Sequence, residues 1–313
     1  MTRAFLLLAL ACAFLLSLAV PWISLPSDLA WSVLVELRLP RAMLAVTYGA
    51  ALGACGAAVQ TIFANPLASP DLTGTTSGAA LGAVIAAYLL EFASPFALSL
   101  GSVAGAMAAL GLLLALAGPR AETSTLLLAG LAISALAGAL TTLALALAPS
   151  PFAFYDAYEW LMGSLVDRSL SQSLFALVPT LACIAVLMTQ VRGLDSLALG
   201  EETAQAIGYD IRRLRLVIIA VTAIAVGACV AVCGAIGFIG LVAPIFARRL
   251  TGGRPGSAIL PAALIGGVLL LAADLVVRLA PLGRTLPIGV ATAVLGAPFF
   301  LWLVTHMRWK LSR

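Results

Sequence analysis

Charge is scarce in this chain of 313 residues: only 10% are Asp, Glu, Lys or Arg, against 63% hydrophobic residues, and the mean hydropathy is +1.14. Soluble domains carry roughly 25% charged residues, so a water-soluble globule is excluded. Lysine and histidine occur once each, as Lys310 and His306. A Walker A loop needs Gly-Lys-Ser/Thr and a zincin helix needs two histidines, so neither chemistry is available here. Any ATP-driven step therefore belongs to another polypeptide. The five cysteines (Cys12, Cys55, Cys183, Cys229, Cys233) lie in apolar stretches and never as C-x-x-C, which suggests neither a disulfide framework nor a thiolate metal site. They read as small buried hydrophobes. The net charge of +4 is spread along the chain without a basic stripe interleaved with aromatics, so no nucleic-acid partner is implied.

What the chain has instead is long apolar runs. A spanning helix needs about 20 mainly apolar residues, and ten candidate spans can be drawn: Ala4–Val20, Ala42–Phe63, Thr75–Leu90, Phe96–Ala117, Thr125–Ala148, Leu174–Val191, Leu216–Cys233, Phe238–Arg249, Ser257–Ala280 and Pro287–His306. The expected fold is all-α, a single transmembrane domain over residues 1–313 embedded in the lipid bilayer. The first run has a single Arg3 before it and continues well past Cys12, so it is expected to be retained as a span rather than cleaved as a signal peptide. The eighth is too short to cross unaided and carries Pro244 after Gly234, Gly237 and Gly240; a broken helix packed inside protein is expected there. With the N-terminus inside, 12 of the 17 basic residues fall on the cytoplasmic side, and the positive-inside rule then puts both termini in the cytoplasm. Glycines four apart (Gly49/Gly53, Gly78/Gly82, Gly101/Gly105) predict close helix packing.

Three segments depart from plain hydrophobicity. Leu37-Arg38-Leu39-Pro40-Arg41 sets two guanidinium groups at the outer mouth of the second span, as interfacial anchors or as an anionic docking point. Gln60 to Asp71 contains Pro66 and Pro70, which stop helix propagation and bias Asn65 and Ser69 toward extended backbone, an irregular turn that suits either a plain loop or a gate. The stretch 192–215 is longer than the 2–8 residues a helix connection needs. It reads as two short helices, Leu194–Gly200 and Glu201–Gly208, each ended by a glycine suited to a left-handed cap, with Glu201 and Glu202 at the favourable end of the second helix dipole. Surface helices presented to a cytosolic partner account for the excess length.

Several ordered motifs resemble those of FecCD-type permeases, the membrane subunits of ABC importers for ferric siderophores, haem and cobalamin. They are Leu39-Pro-Arg41, Asn65-Pro-Leu-Ala-Ser-Pro70, Trp160-Leu-Met-Gly-Ser164, Leu199-Gly-Glu-Glu-Thr-Ala204, Cys233-Gly-Ala-Ile-Gly-Phe-Ile-Gly-Leu-Val-Ala-Pro244, Ala273-Asp274 with Arg278, and the run from Leu286 to Phe300. They cover nearly the whole chain. The resemblance implies a type II ABC importer permease of about ten helices in the bacterial inner membrane, paired with a second permease copy or homologue. It also implies two copies of a cytosolic ATP-binding subunit and an extracytoplasmic substrate-binding protein. ATP and Mg would sit on the partner ATPase, and no cofactor, metal or catalytic residue is implied on this chain. Residue by residue, the resemblance assigns ATPase coupling to Leu199, Gly200, Glu201, Glu202, Ala204, Gln205 and Gly208. It assigns binding-protein docking to Arg38, Arg41 and Arg278, and the cytoplasmic gate to Asn65, Leu67, Thr123 and Ser124. Ferric siderophores are the family's commonest cargo, with haem and cobalamin the alternatives.

The chain departs from the family pattern at Ile245, Thr285 and Ala64, where His, an acid and Arg are usual. Two other mechanisms compete. Asp274 is the one acid placed within a span, as an ion-coupled transporter would require, but Arg278 four residues on makes a structural pair the simpler reading. An intramembrane serine protease needs Ser and His in reach of one another, and the sole His306 falls at the cytoplasmic end of the last span.

Overall fold

A computed structural model describes residues 2–20, 27–88, 95–118, 123–280 and 286–311. Every regular element among the described residues is helical: α1 (Thr2–Ala19), α2 (Ser27–Ser32), α3 (Leu39–Ile62), α4 (Thr75–Tyr88), α5 (Pro95–Ala117), α6 (Thr123–Ala146), α7 (Pro151–Leu161), α8 (Leu170–Thr189), α9 (Val191–Leu197), α10 (Glu201–Ala206), α11 (Ile211–Cys233), α12 (Ile239–Leu250), α13 (Ile259–Leu279) and α14 (Ile288–Leu311). Each expected span contains a helix. Among the described residues, six helices are long and apolar enough to cross a bilayer: Leu29–Ile62, Phe96–Leu116, Ser124–Ala146, Leu170–Thr189, Ile211–Cys233 and Gly256–Leu279. Shorter apolar helices cover Arg3–Ala19, Thr75–Tyr88 and Ile288–Trp302. The chain is a multi-pass membrane protein.

The second span starts earlier than the apolar run suggested. A π-helical stretch, Val33–Arg38, joins α2 to α3 without a break, so the helix extends outward past both arginines. Pro40 lies inside this continuous helix, directly after the π-helical stretch, and its missing N–H leaves a carbonyl of the preceding turn without its helical donor. A surface helix that the hydropathy pattern did not reveal, α7, starts where Ser150 accepts a hydrogen bond from the Ala153 N–H and Pro151 occupies the first helical position.

Helix α3 is the centre of the molecule. Nearly all of its residues from Ala42 onward are buried, which requires a helix that is apolar on every side. Its small residues admit neighbouring backbones: Gly49 lies against the Gly266 carbonyl and Gly53 against that of Ala262, so α13 runs antiparallel to α3 with no side chain between them. The other predicted pairs meet one another, Gly78 with Gly105 and Gly82 with Gly101, across the antiparallel pair α4/α5. Helix α12 is the short, Pro-containing element expected. Pro244 deprives the Gly240 carbonyl of its helical donor, and that carbonyl lies against Gly56. Ahead of α12 the backbone is unwound, with Phe238 at φ +67°. The buried Tyr48 hydroxyl pins it, donating to the Gly234 carbonyl (3.1 Å) and accepting from the Ile236 N–H (3.2 Å).

Large apolar side chains on α1, α6, α8 and α14 (Leu8, Leu128, Val178, Leu301) point out of the bundle, as lipid-facing residues do. Polar side chains collect instead at the two ends. One end holds Arg38, Arg41, Asp274 and Arg278; the other holds Thr61, Arg248, Asp195 and the α9–α10 pair.

Candidate functional site

The arginine end is built by three helices. The antiparallel packing of α3 and α13 brings Arg41 opposite Asp274, with Nε 2.9 Å from Oδ1 and 3.2 Å from Oδ2, and Nη2 2.8 Å from Oδ1. Arg278, one turn along α13, reaches Asp274 Oδ2 at 2.5 Å. The Asp274 side chain is 1% exposed. Three nitrogens of two fork-shaped donors thus meet one buried carboxylate. Arg278 also donates from Nη1 to the Ser17 carbonyl (2.9 Å), and Arg38 donates from Nη1 to the Leu18 carbonyl (2.7 Å). These are carbonyls of the last turn of α1, which have no intrahelical donor and carry the negative end of the helix dipole. Arg278 is thus brought to the same end of the bundle as Arg38 and Arg41, which lie more than 230 residues earlier in the chain. The carboxylate that Arg41 and Arg278 meet is the chain's own, and the i, i+4 pairing of Asp274 with Arg278 is extended by Arg41. At this same end a cavity of about 700 Å³ is lined by Tyr88, Asp156, Trp160, Ser164 and Arg168, among others.

Between α3 and α4 the chain makes the irregular turn that Pro66 and Pro70 impose. Ala64 takes φ +47°, and the Leu67 N–H donates to Asn65 Oδ1 (2.9 Å) in an Asx turn. A 3₁₀ turn, Pro70–Thr73, follows and packs on α6: the Ser134 hydroxyl donates to the Asp71 carbonyl (3.0 Å), and Gly74 lies under Ile133. Withdrawal from water pushes the Asp71 carboxyl above the usual carboxylate range. Ser124 is exposed at the start of α6, about two turns before the 130–134 contact. Thr123 opens the same helix, and its side chain lies outside the described residues, as do Arg120, Arg284, Thr285 and the His306 side chain.

The opposite end presents α9 and α10. The connection is shorter than 192–215. It begins with α9 at Val191, one residue before Arg192, and ends at Asp210, because the arginines 212, 213 and 215 already belong to α11. Asp210 explains this, because its carboxylate accepts the Arg213 N–H (3.0 Å) and starts α11 five residues before the apolar run. Gly200 and Gly208 take φ +95° and +96°, and a Cβ at either would meet open space. Their requirement is therefore backbone conformation and not room. Leu199, Gly200, Glu201, Glu202, Gln205 and Gly208 are exposed, whereas Ala204 is fully buried and holds α10 onto the protein. Glu201 is ion-paired with Arg215. The exposed Ile207 adds a second apolar side chain to Leu199 on this surface. Sequence reasoning passed over it because one isoleucine among polar residues carries no pattern. Among the described residues, no three His, Cys, Asp or Glu side chains are grouped to hold a metal ion.

Residues 4–306 match the FecCD transport family. The chain is 38% identical to the Fe(3+) dicitrate transport system permease protein FecD of Escherichia coli over 97% of its own length and 98% of that protein. It is 40% identical to the vitamin B12 import system permease protein BtuC of Salmonella schwarzengrund over 90% of this chain and 86% of that one. A solved structure described as an inward-facing metal-chelate type ABC transporter superposes with a TM-score of 0.89 at 30% identity, covering 97% of this chain and 98% of its counterpart.

Proposed function

The chain belongs to the FecCD transport family, and we propose that it is the permease subunit of an ABC importer that carries an iron chelate, most simply a ferric siderophore, across the bacterial inner membrane. One observation carries this reading: the likeness to an iron-citrate permease runs over almost the full length of both chains, including both polar ends and the turn between α3 and α4. In this account the α9–α10 surface, with Leu199, Gly200, Glu201, Glu202, Gln205 and Gly208, receives one of two cytosolic ATP-binding subunits. Ala204 seats α10 from behind. ATP and Mg are held by those subunits. The opposite end, where the part-exposed Arg41 and Arg278 hold Asp274 and Arg38 holds the end of α1, meets the extracytoplasmic binding protein. Arg41 is the more accessible of the paired arginines, with 21% of its side chain exposed against 7% for Arg278. A second permease copy or homologue completes the pathway. The turn carrying Asn65 and Leu67, with Thr123 and Ser124 at the start of α6, forms the gate on the ATPase side.

Cobalamin is the second reading, favoured by the 40% identity to a vitamin B12 permease. Growth of a strain lacking this gene separates the two, measured under iron limitation with ferric siderophores, ferric citrate or haem as the iron source, and in iron-replete medium under a requirement for supplied cobalamin. Growth lost on one iron chelate alone supports the proposal, and a defect confined to cobalamin replaces it with the second reading.

A further inference from the structure

The α9–α10 pair is fastened to the transmembrane bundle at one well-made joint. Asp195, on α9, accepts the Gly256 N–H at 2.7 Å on Oδ1, with the Ser257 N–H at 3.4 Å on the same oxygen; its Oδ2 accepts the Ser257 hydroxyl at 3.3 Å. Gly256 and Ser257 lie in the 3₁₀ turn that opens α13, so the carboxylate takes amides that the helix cannot satisfy itself. The Val191 carbonyl lies so close to Gly256 that a Cβ there would collide with it. Gly193, Leu194 and Ser196 of α9 are buried beneath this contact.

Beyond the joint, α13 and α3 run backbone to backbone through Gly49/Gly266 and Gly53/Ala262. Their carbonyls approach with no flexible side chain between, so one helix cannot slide without displacing the other. At the far end α13 delivers Asp274 to Arg41 of α3, and Arg278 holds the end of α1. The other tie from the pair, Glu201 to Arg215 on α11, is half-exposed and open to screening. We infer that Asp195 is a positioning residue of the transport cycle: through Gly256 and Ser257 it passes movement of the α9–α10 surface to an α3–α13 strut that ends at the Asp274 cluster. This rests on the proposed function, since only an ATP-driven permease has a movement to pass.

The test uses the full complex of this chain with its ATP-binding subunit and binding protein in liposomes, comparing uptake per ATP hydrolysed in wild type, Asp195→Ala, Asp195→Asn and Ser257→Ala. Asp195→Ala is expected to lower that ratio about tenfold, within the usual range of coupling between sites. Asp195→Asn keeps an acceptor oxygen for the Gly256 N–H and restores most of it; a purely structural defect would appear as a lowered melting temperature in step with the loss. A wild-type ratio in Asp195→Ala overturns the inference, as does Asp195→Asn failing equally at unchanged melting temperature. If Asp195→Ala does not assemble, Ser257→Ala decides: a reduced ratio supports the joint, and an unchanged one overturns it. A wild-type complex without ATP-dependent uptake would end the proposed function and this inference together, whereas a coupled wild type with an equally coupled Asp195→Ala ends the inference alone.

Discussion

Arg41 and Asp274 are separated by 233 residues and meet side-on at the arginine end, with Arg41 Nε 2.9 Å from Asp274 Oδ1 and Nη2 2.8 Å from the same oxygen. Removing one member of a buried ion pair leaves the other charge without compensation, typically at a loss of about 3–5 kcal/mol. Asp274→Ala strands two arginines at once and is expected to fall in that range, read as a large drop in melting temperature of the detergent-purified protein. High salt should not restore it, because the carboxylate is shielded from solvent ions. A melting temperature that stays at the wild-type value would show that Arg41 and Arg278 need no internal partner.

The α3–α13 contact makes a sharper prediction about volume. A Cβ at Gly53 would fall inside the carbonyl of Ala262, whereas one at Gly138 on α6 meets nothing. Gly53→Ala is expected to destabilise by about 1–3 kcal/mol through forced separation of the helices. Gly138→Ala should be neutral or gain up to about 1 kcal/mol from helix propensity. The two melting temperatures, measured side by side, check this.

Gly49 and Gly53 were legible in the sequence as a packing face because small residues four apart permit close approach whatever the partner. That the partner is Ala262 and Gly266 of α13 was not, since nothing local encodes a contact over 200 residues away. Arg38, Arg41 and Arg278 stood out as charges in an apolar chain, and Asp274 was paired with Arg278 by helical spacing. Its second partner, Arg41, depends on the tertiary register of α3 against α13. The helix α7 escaped notice because Pro151–Leu161 is too short and too polar for a span, although Ser150-Pro151 was a readable start signal. The extent of the surface connection was overestimated because arginine raises polarity without interrupting a helix; Asp210 was the cap that marked the true boundary.

Asp71 gives the stability a pH dependence of definite sign. Its carboxyl is held above the usual carboxylate range, so the folded chain binds this proton more tightly than the unfolded chain. The contribution therefore falls as pH rises through the window between the ordinary value, near 3.8, and the raised one. Lowering the pH across that window should stabilise the protein at this site. Asp71→Asn removes the charge and is expected to flatten this part of the profile while raising stability at neutral pH. Melting temperatures of both proteins across a mildly acidic series are the measurement.

Gly208 tests the α9–α10 surface. Its φ of +96° is a conformation that a side chain resists, at about 1–2 kcal/mol for residues other than glycine. Gly208→Pro, whose ring fixes φ near −65°, should abolish uptake while the protein still inserts into the membrane. Equal membrane levels with normal uptake would remove this surface from the ATP-dependent step.

This chain is expected to import its cargo only when a separate ATP-binding subunit drives it. The most direct measurement is uptake of a radiolabelled ferric chelate into liposomes holding the purified chain with its ATP-binding subunit, with loaded binding protein on one side and ATP on the other. Uptake should require ATP, the ATP-binding subunit and the binding protein together, and the chain alone should hydrolyse no nucleotide. Uptake by the chain alone down an ion gradient would contradict the account and turn attention to Asp274 as the ion-coupling acid.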